Sequence, residues 1–244
     1  MVDDGSRLRP FRPPLDLEGV ELKVIRLAQN QGRSYARNVG LREAREAGAD
    51  VTVFVDSDVI VPRDHITNLV QVMQPRDQAI AAGLFFAVQS LEADMLASAL
   101  DGARSHHDWR SQCVYQPSWV GCPSDHEFVG RRFSLLAQTR GFRDWSGMVG
   151  PWCLANMVLG GCFAVSTELA AMVGGFDESF DRYGFTETTL VARLIAAGCA
   201  VIPVLRSTAL HVELQPAHLP QSERNLCFRD AHRRFFTQFL AGQT

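Results

Sequence analysis

The chain holds no apolar run long enough to span a bilayer. Its longest, Ala79 to Val88, falls far short of the roughly 20 residues a membrane-crossing helix needs. There is no surplus of charge either: 24 Lys and Arg stand against 27 Asp and Glu, for a net charge of −3 and a pI of about 6.2. Bulk electrostatics therefore favour no nucleic-acid partner. The six cysteines (113, 122, 153, 162, 199 and 227) form no Cys-x-x-Cys pair. With no leader pattern visible, reduced thiols in a cytoplasmic protein are the expectation, and work at the inner membrane face stays open. No repeat and no low-complexity segment interrupts the chain.

What is present is a globular composition. The 244 residues, 46% hydrophobic, fit one α/β domain with a sizeable core. The most informative stretch is Val51-Thr52-Val53-Phe54-Val55 followed by Asp56-Ser57-Asp58. A β-branched run nearly free of polar side chains reads as a central strand of an α/β sheet. Ligands of such sheets sit beyond the carboxyl ends of the strands. Two carboxylates at that end cannot be core, because buried unpaired charge is too unfavourable. A hard divalent cation carrying a diphosphate would neutralise them. A solvated Asp-rich turn is the plainer alternative.

Further elements follow from pattern and punctuation. Residues 7–19, rich in Arg and Pro, read as a loop, and Val20 to Leu27 as a short strand. Ser34 to Ala47 predicts a helix ending at Gly48. Pro62 predicts the start of a helix over Arg63 to Met73. Ala79 to Val88 predicts a buried strand, and Val158 to Val165 another with Gly160-Gly161 at its centre, where a ligand or backbone comes close. Helices are expected over Thr167 to Val173 and Glu187 to Ala197, with a closing strand from Ala200 to Val204. Gln221 to Leu240 predicts a helix whose stripe of Phe228, His232, Phe235 and Phe239 packs on the domain, with membrane-surface binding as the alternative. In residues 90–150, His106, His107, Cys113 and Cys122 match no regular zinc spacing. The tryptophans there suit either an acceptor surface or an ordinary core.

The Asp-Ser-Asp turn does not stand alone. Val2-Asp3-Asp4-Gly5-Ser6 opens the chain, and Asn30-Gln31-Gly32-Arg33-Ser34-Tyr35-Ala36-Arg37-Asn38-Val39-Gly40 precedes the turn. Gly174-Gly175-Phe176-Asp177-Glu178-Ser179-Phe180 and Tyr183-Gly184-Phe185-Thr186-Glu187-Thr188-Thr189-Leu190 follow it. In this order and spacing the chain, from residue 2 to about His211, resembles the family-2 inverting glycosyltransferases of the type A nucleotide-diphospho-sugar fold. The resemblance implies a three-layer α/β/α, Rossmann-like domain over 1–215 with a mainly parallel sheet. Residues 90–150 would be its variable acceptor side, and 216–244 a helical tail.

It also implies roles. Asp58 and Asp56 would bind a Mg²⁺ or Mn²⁺ ion and the donor diphosphate, with His211 on the same metal or diphosphate. Asp4, Asn30, Gly32 and Arg37 would hold the nucleotide, with uracil or thymine favoured. Glu187 would be the general base, at a helix N-terminus whose dipole favours the anion. The family's usual run is Tyr-Gly-x-Glu-Asp-x-x-Leu. Here Thr186 replaces the Glu and Glu187 the Asp, so the base position keeps a carboxylate, longer by one methylene. Gly160, Gly161, Trp152 and Thr186 would line the acceptor and sugar pocket, and Asp177 suits a turn. The implied partners are a nucleotide-sugar donor, UDP-linked by the resemblance, and a saccharide, lipid-linked or small-molecule acceptor.

Members of the family normally begin with a strand and helix before the Asp-Asp-Gly-Ser segment. A βα unit of roughly 35 residues is therefore expected ahead of Asp3 and is absent from this sequence. Two other readings belong beside the enzyme: a degenerate member of the fold that binds or scaffolds, and a nucleotidyltransferase. The last usually needs a Gly-rich, basic N-terminal loop for a triphosphate, and none is present.

Overall fold

The computed structural model describes residues 1–6, 19–74, 77–88, 160–212 and 220–240, with the single residues 97, 155 and 158. The expected acceptor-side region 90–150 and Trp152 lie outside the described residues. In chain order the elements are β1 (Val2–Asp3), β2 (Ile25–Arg26), α1 (Arg33–Glu46), β3 (Val51–Val55), β4 (Val59–Ile60), α2 (His65–Met73) and β5 (Ala79–Val88). After these come β6 (Cys162–Ser166), α3 (Thr167–Met172), α4 (Thr186–Ala196), β7 (Ala200–Val212) and α5 (Gln221–Leu240).

The class is α/β. β1 and β2 pair in parallel, and the five other strands form a sheet in the order β3-β6-β5-β7-β4. The resemblance implies a mainly parallel sheet, and the apolar pattern of Val51–Val55 a central strand. Among the described strands, this sheet is mixed and β3 lies at its edge. β5 and β7 run parallel, whereas β6 is antiparallel to both β3 and β5, and β4 is antiparallel to β7. Strand direction is set by where each connection leaves the sheet, and side-chain periodicity does not carry it.

Alternation on the strands builds the layers. Phe54, Ile80, Ala82, Phe163 and Val165 point to one face. There they join Leu41 of α1, Leu190, Val191 and Leu194 of α4, and Ala231 and Phe235 of α5. Ala79, Ala81, Cys162, Ala164 and Val204 point to the other face, against Leu69 and Met73 of α2. The period of two thus serves two helical layers at once. Phe54, Phe163 and Phe176 interlock, with centroids 5.1, 4.9 and 6.5 Å apart.

Two departures from the sequence pattern concern the amino end of β6 and the carboxyl end of β7. β6 begins at Cys162, so Gly160-Gly161 form a turn ahead of the strand. β7 continues beyond Val204 to Val212, in register with β5. The register jumps from Gly83↔Val204 to Leu84↔Thr208, which leaves three residues of β7 without a partner on β5. Beyond that bulge, Val59 pairs with His211 and Ile60 with Leu210.

Candidate active site

Arg37 is the centre of the site. It stands in the second turn of α1, a helix that begins without a side-chain cap at Gly32. Gly32 has φ 95°, and a Cβ there would lie 3.1 Å from Asp181 Cβ. Both oxygens of Asp4 hold the approach to the helix, accepting from Gln31 N at 2.7 Å and Gly32 N at 3.0 Å. Gly5, at φ 69°, lets this turn press on residues 29–30, since a Cβ would lie 2.6 Å from Gln29 C. Asp4 and Gly32 therefore build one loop, with Asn30 exposed on its rim.

The guanidinium of Arg37 is 9% exposed and has three partners. Nη2 donates to Asp56 Oδ1 at 2.6 Å and to Gly160 O at 3.2 Å. Nη1 donates to Glu187 Oε2 at 3.4 Å. The cation also lies over the Phe176 ring, 5.4 Å from its centroid. Burial works against its charge, but Asp56 and Glu187 outweigh that and push its pKa up, so the guanidinium stays cationic. Asp56 and Glu187 keep 29% and 19% of their side-chain surface, so the three groups are sheltered while the two carboxylates still reach solvent. Gly160 fits because nothing larger does: a Cβ would lie 2.8 Å from Arg37 Nη2 and 2.9 Å from Glu187 Oε2. Gly161 continues the frame, its carbonyl accepting from Asp56 N at 3.0 Å.

Asp58 and His211 form a second pair, with His211 Nε2 3.2 Å from Asp58 Oδ2. The β4–β7 register and the bond from Val212 N to Asp58 O, at 2.9 Å, bring them together. Burial alone would raise the Asp58 pKa. The hydrogen bond from His211, its charge and that of Arg33 outweigh burial and hold the carboxyl below its usual range. Asp58 is 46% exposed. A carboxylate oxygen and an imidazole nitrogen this close, with an open side, suit a divalent cation whose other ligands are phosphate oxygens or water. Among the described residues, no cluster of three or more His, Cys, Asp or Glu side chains is placed to hold a metal unaided.

Thr186, expected in the acceptor pocket, is fully buried, and its hydroxyl donates to Phe180 O at 3.3 Å, so it serves the core. Asp177 takes the turn role: it accepts from Ser179 N at 3.0 Å and pairs with Arg193 at 3.0 Å.

Three residues without a sequence-derived role prove important to the frame. Asn38 clamps the glycine-rich loop to α1, accepting from Phe176 N at 2.8 Å and donating to Phe176 O at 2.9 Å and Glu178 Oε1 at 2.8 Å. Gly175 allows this, at φ 67° and too close to Asn38 Oδ1 for a Cβ. Ser34 donates to Phe180 O at 2.8 Å. Asp3, the buried neighbour of Asp4, accepts from Ser6 N at 2.9 Å and lies 3.9 Å from Arg26. The motifs contain all three residues, but their role depends on the loop they meet, and local sequence is silent about that.

Residues 1–136 match the family model described as Glycosyl transferase family 2. The chain is 23% identical over 218 residues to N-acetylgalactosaminyltransferase 4 of Drosophila melanogaster, covering 87% of this chain and 30% of that protein. It is 23% identical over 194 residues to the Uncharacterized glycosyltransferase YfnE of Bacillus subtilis (strain 168), covering 72% and 47%. A solved structure, GalNAc-T7 with UDP, GalNAc and Mn²⁺, superposes with a TM-score of 0.47 at 14% identity, covering 89% of this chain and 45% of that one. The chain thus spans less than half the length of each of these proteins.

Proposed function

Since the chain belongs to glycosyl transferase family 2, we propose that it transfers a sugar from a nucleoside-diphosphate donor, UDP-linked in the first instance, to a hydroxyl acceptor with inversion at the anomeric carbon. The observation that carries this reading is the single guanidinium of Arg37 joining Asp56, 19 residues away, to Glu187, 150 residues away, at the end of β3. The carboxylate we read as the proton acceptor and the one we read as a donor-site group are there held in one frame.

The chemistry follows from those placements. Glu187 accepts the proton of the acceptor hydroxyl as its oxygen bonds to the anomeric carbon. The bond from that carbon to the diphosphate oxygen breaks, and its electron pair leaves with the nucleoside diphosphate. Arg37 sets the direction of the Glu187 carboxylate, and its tighter contact anchors Asp56. Asp58 and His211, with Asp56 near the ribose or the same ion, would hold a Mg²⁺ or Mn²⁺ ion. That ion, when bound, would neutralise charge building on the leaving diphosphate. The Asp4–Gly32 loop, with Asn30 at its rim, would take the nucleoside, and the backbone of Gly160 and Gly161 would form the floor of the sugar pocket beside Glu187. A saccharide, lipid-linked or small-molecule acceptor fits this reading. Among the described residues, no helix is long and apolar enough to cross a membrane.

Hydrolysis and transfer assays across UDP-, GDP- and dTDP-sugars, with and without Mn²⁺, test the proposal. We expect turnover with one donor class, lost in Glu187→Gln and in Asp58→Ala, with only Asp58→Ala also weakening metal-dependent nucleotide binding. A product of retained anomeric configuration rules out inversion. Full activity of Glu187→Gln removes Glu187 from the base role.

A further inference from the structure

Phe185 is the one non-glycine residue with positive φ among the described residues, at φ 59° and ψ 6°. It is the N-cap of α4, two residues before Glu187. A helix N-cap ordinarily takes an extended conformation and offers a side-chain oxygen to the first turn. Phe185 does neither. The left-handed region is unfavourable for a residue with a Cβ, and such strain persists only where the surroundings over-determine it.

Here the surroundings are α5. The Phe185 ring is buried and meets Phe228, His232 and Phe235, with centroids 5.3, 5.5 and 5.2 Å away. The preceding Gly184, at φ 103°, lies so close to α5 that a Cβ would come 3.0 Å from the Phe228 ring. Elsewhere the packing is open: a cavity of about 540 Å³, lined among others by Arg182, Tyr183, Leu226 and Arg233, lies between this segment and α5. The Phe185 carbonyl accepts the first bond of α4, from Thr189 N at 3.2 Å. Thr186 is tied to Phe180 O. Glu187 is the next residue, aimed at Arg37 and Gly160.

We propose that Phe185 is a positioning residue: its ring, locked into α5, holds the strained entry to α4 and so sets the direction of the Glu187 carboxylate. α5 then completes the active site from a distance, without touching substrate. This rests on the reading of Glu187 as the general base.

The test uses the full chain. Glycine adopts this φ freely, so Phe185→Gly removes the ring and leaves the backbone conformation available. A base displaced by about 1 Å loses on the order of 100-fold in rate. We expect that loss in kcat per folded molecule, with the donor KM changed by less than about threefold. Phe228→Ala should reproduce the loss from the other side of the contact, and Phe185→Tyr, which keeps the ring, should restore most of kcat. If Phe185→Gly lowers only the fraction of folded protein and leaves kcat per folded molecule unchanged, the proposal is overturned. Amide hydrogen exchange gives a readout independent of turnover. In Phe185→Gly, exchange should quicken at Thr189 and Leu190 and stay unchanged at Ile195 to Ala197. Unchanged exchange at Thr189 overturns the proposal whatever the turnover, whereas full activity of Glu187→Gln would remove the reading on which it rests.

Discussion

Replacing Arg37 by methionine keeps the apolar stem of the side chain and removes its charged head. The variant leaves Asp56 and Glu187 facing the space where one guanidinium had bound both, at 2.6 and 3.4 Å. Removing one partner of a buried ion pair destabilises by about 3–5 kcal/mol. The carboxylates keep 29% and 19% exposure, so solvent recovers part of the loss and the low end, about 3 kcal/mol, is expected. For a chain of this size that corresponds to a fall in Tm of about 6–12 °C. Differential scanning calorimetry at pH 7.5 checks it. Arg37→Lys should fall between the two, because a single ammonium cannot fork to both carboxylates. A Tm within 2 °C of wild type would refute the bridging role of Arg37.

Other substitutions and conditions follow from single contacts. Gly160→Ala puts a Cβ 2.8 Å from Arg37 Nη2, so donor turnover should drop about tenfold or more while the fold persists, as steady-state kinetics with a melting curve will show. His65 is fully buried, and burial lowers its pKa from 6.5 to about 4 against a smaller opposing effect of Asp64. The unfolded chain therefore binds the proton first, so stability is complete above pH 6.5 and declines by about 3 kcal/mol as pH falls to 4. Urea titrations across that window should show this slope, and His65→Gln should flatten it. The Cys162 thiol, pushed up to about 12 by burial and then by the charge of Asp56, should resist iodoacetamide at pH 8 in the native state and react once urea unfolds the chain.

How legible all this is from sequence depends on how local the determinant is. Val51–Val55, Ala79–Val88 and Gln221–Leu240 carry their bounds in their own residues, because apolar runs and a helical stripe end at turn residues on each side. The places of the candidate carboxylates are legible too: Asp56 and Asp58 follow the apolar run of β3, and Glu187 lies in the first turn of α4. β7 is underestimated because Arg206-Ser207-Thr208 break its apolar pattern, and only pairing with β5 carries it on to His211. The edge position of β3 and the antiparallel β6 depend on connections about 100 residues apart. Thr186 has a hydroxyl suited to a sugar pocket, yet Phe180 O takes it. Phe185 gives no local sign of its left-handed backbone, because the cause lies 43 to 50 residues away on α5.

The bulge in β7 has a consequence for how this chain can change over generations. Loops usually absorb insertions and deletions, but the three residues skipped between Val204 and Thr208 act as a fixed spacer ahead of His211. Losing one of them with the upstream pairing kept would place Val212 opposite Val59, and gaining one would place Leu210 there. Either event reverses the facing of every residue beyond it and sets a hydrocarbon side chain beside Asp58. Substitutions can drift through this segment, while a change in its length parts His211 from Asp58 in one step.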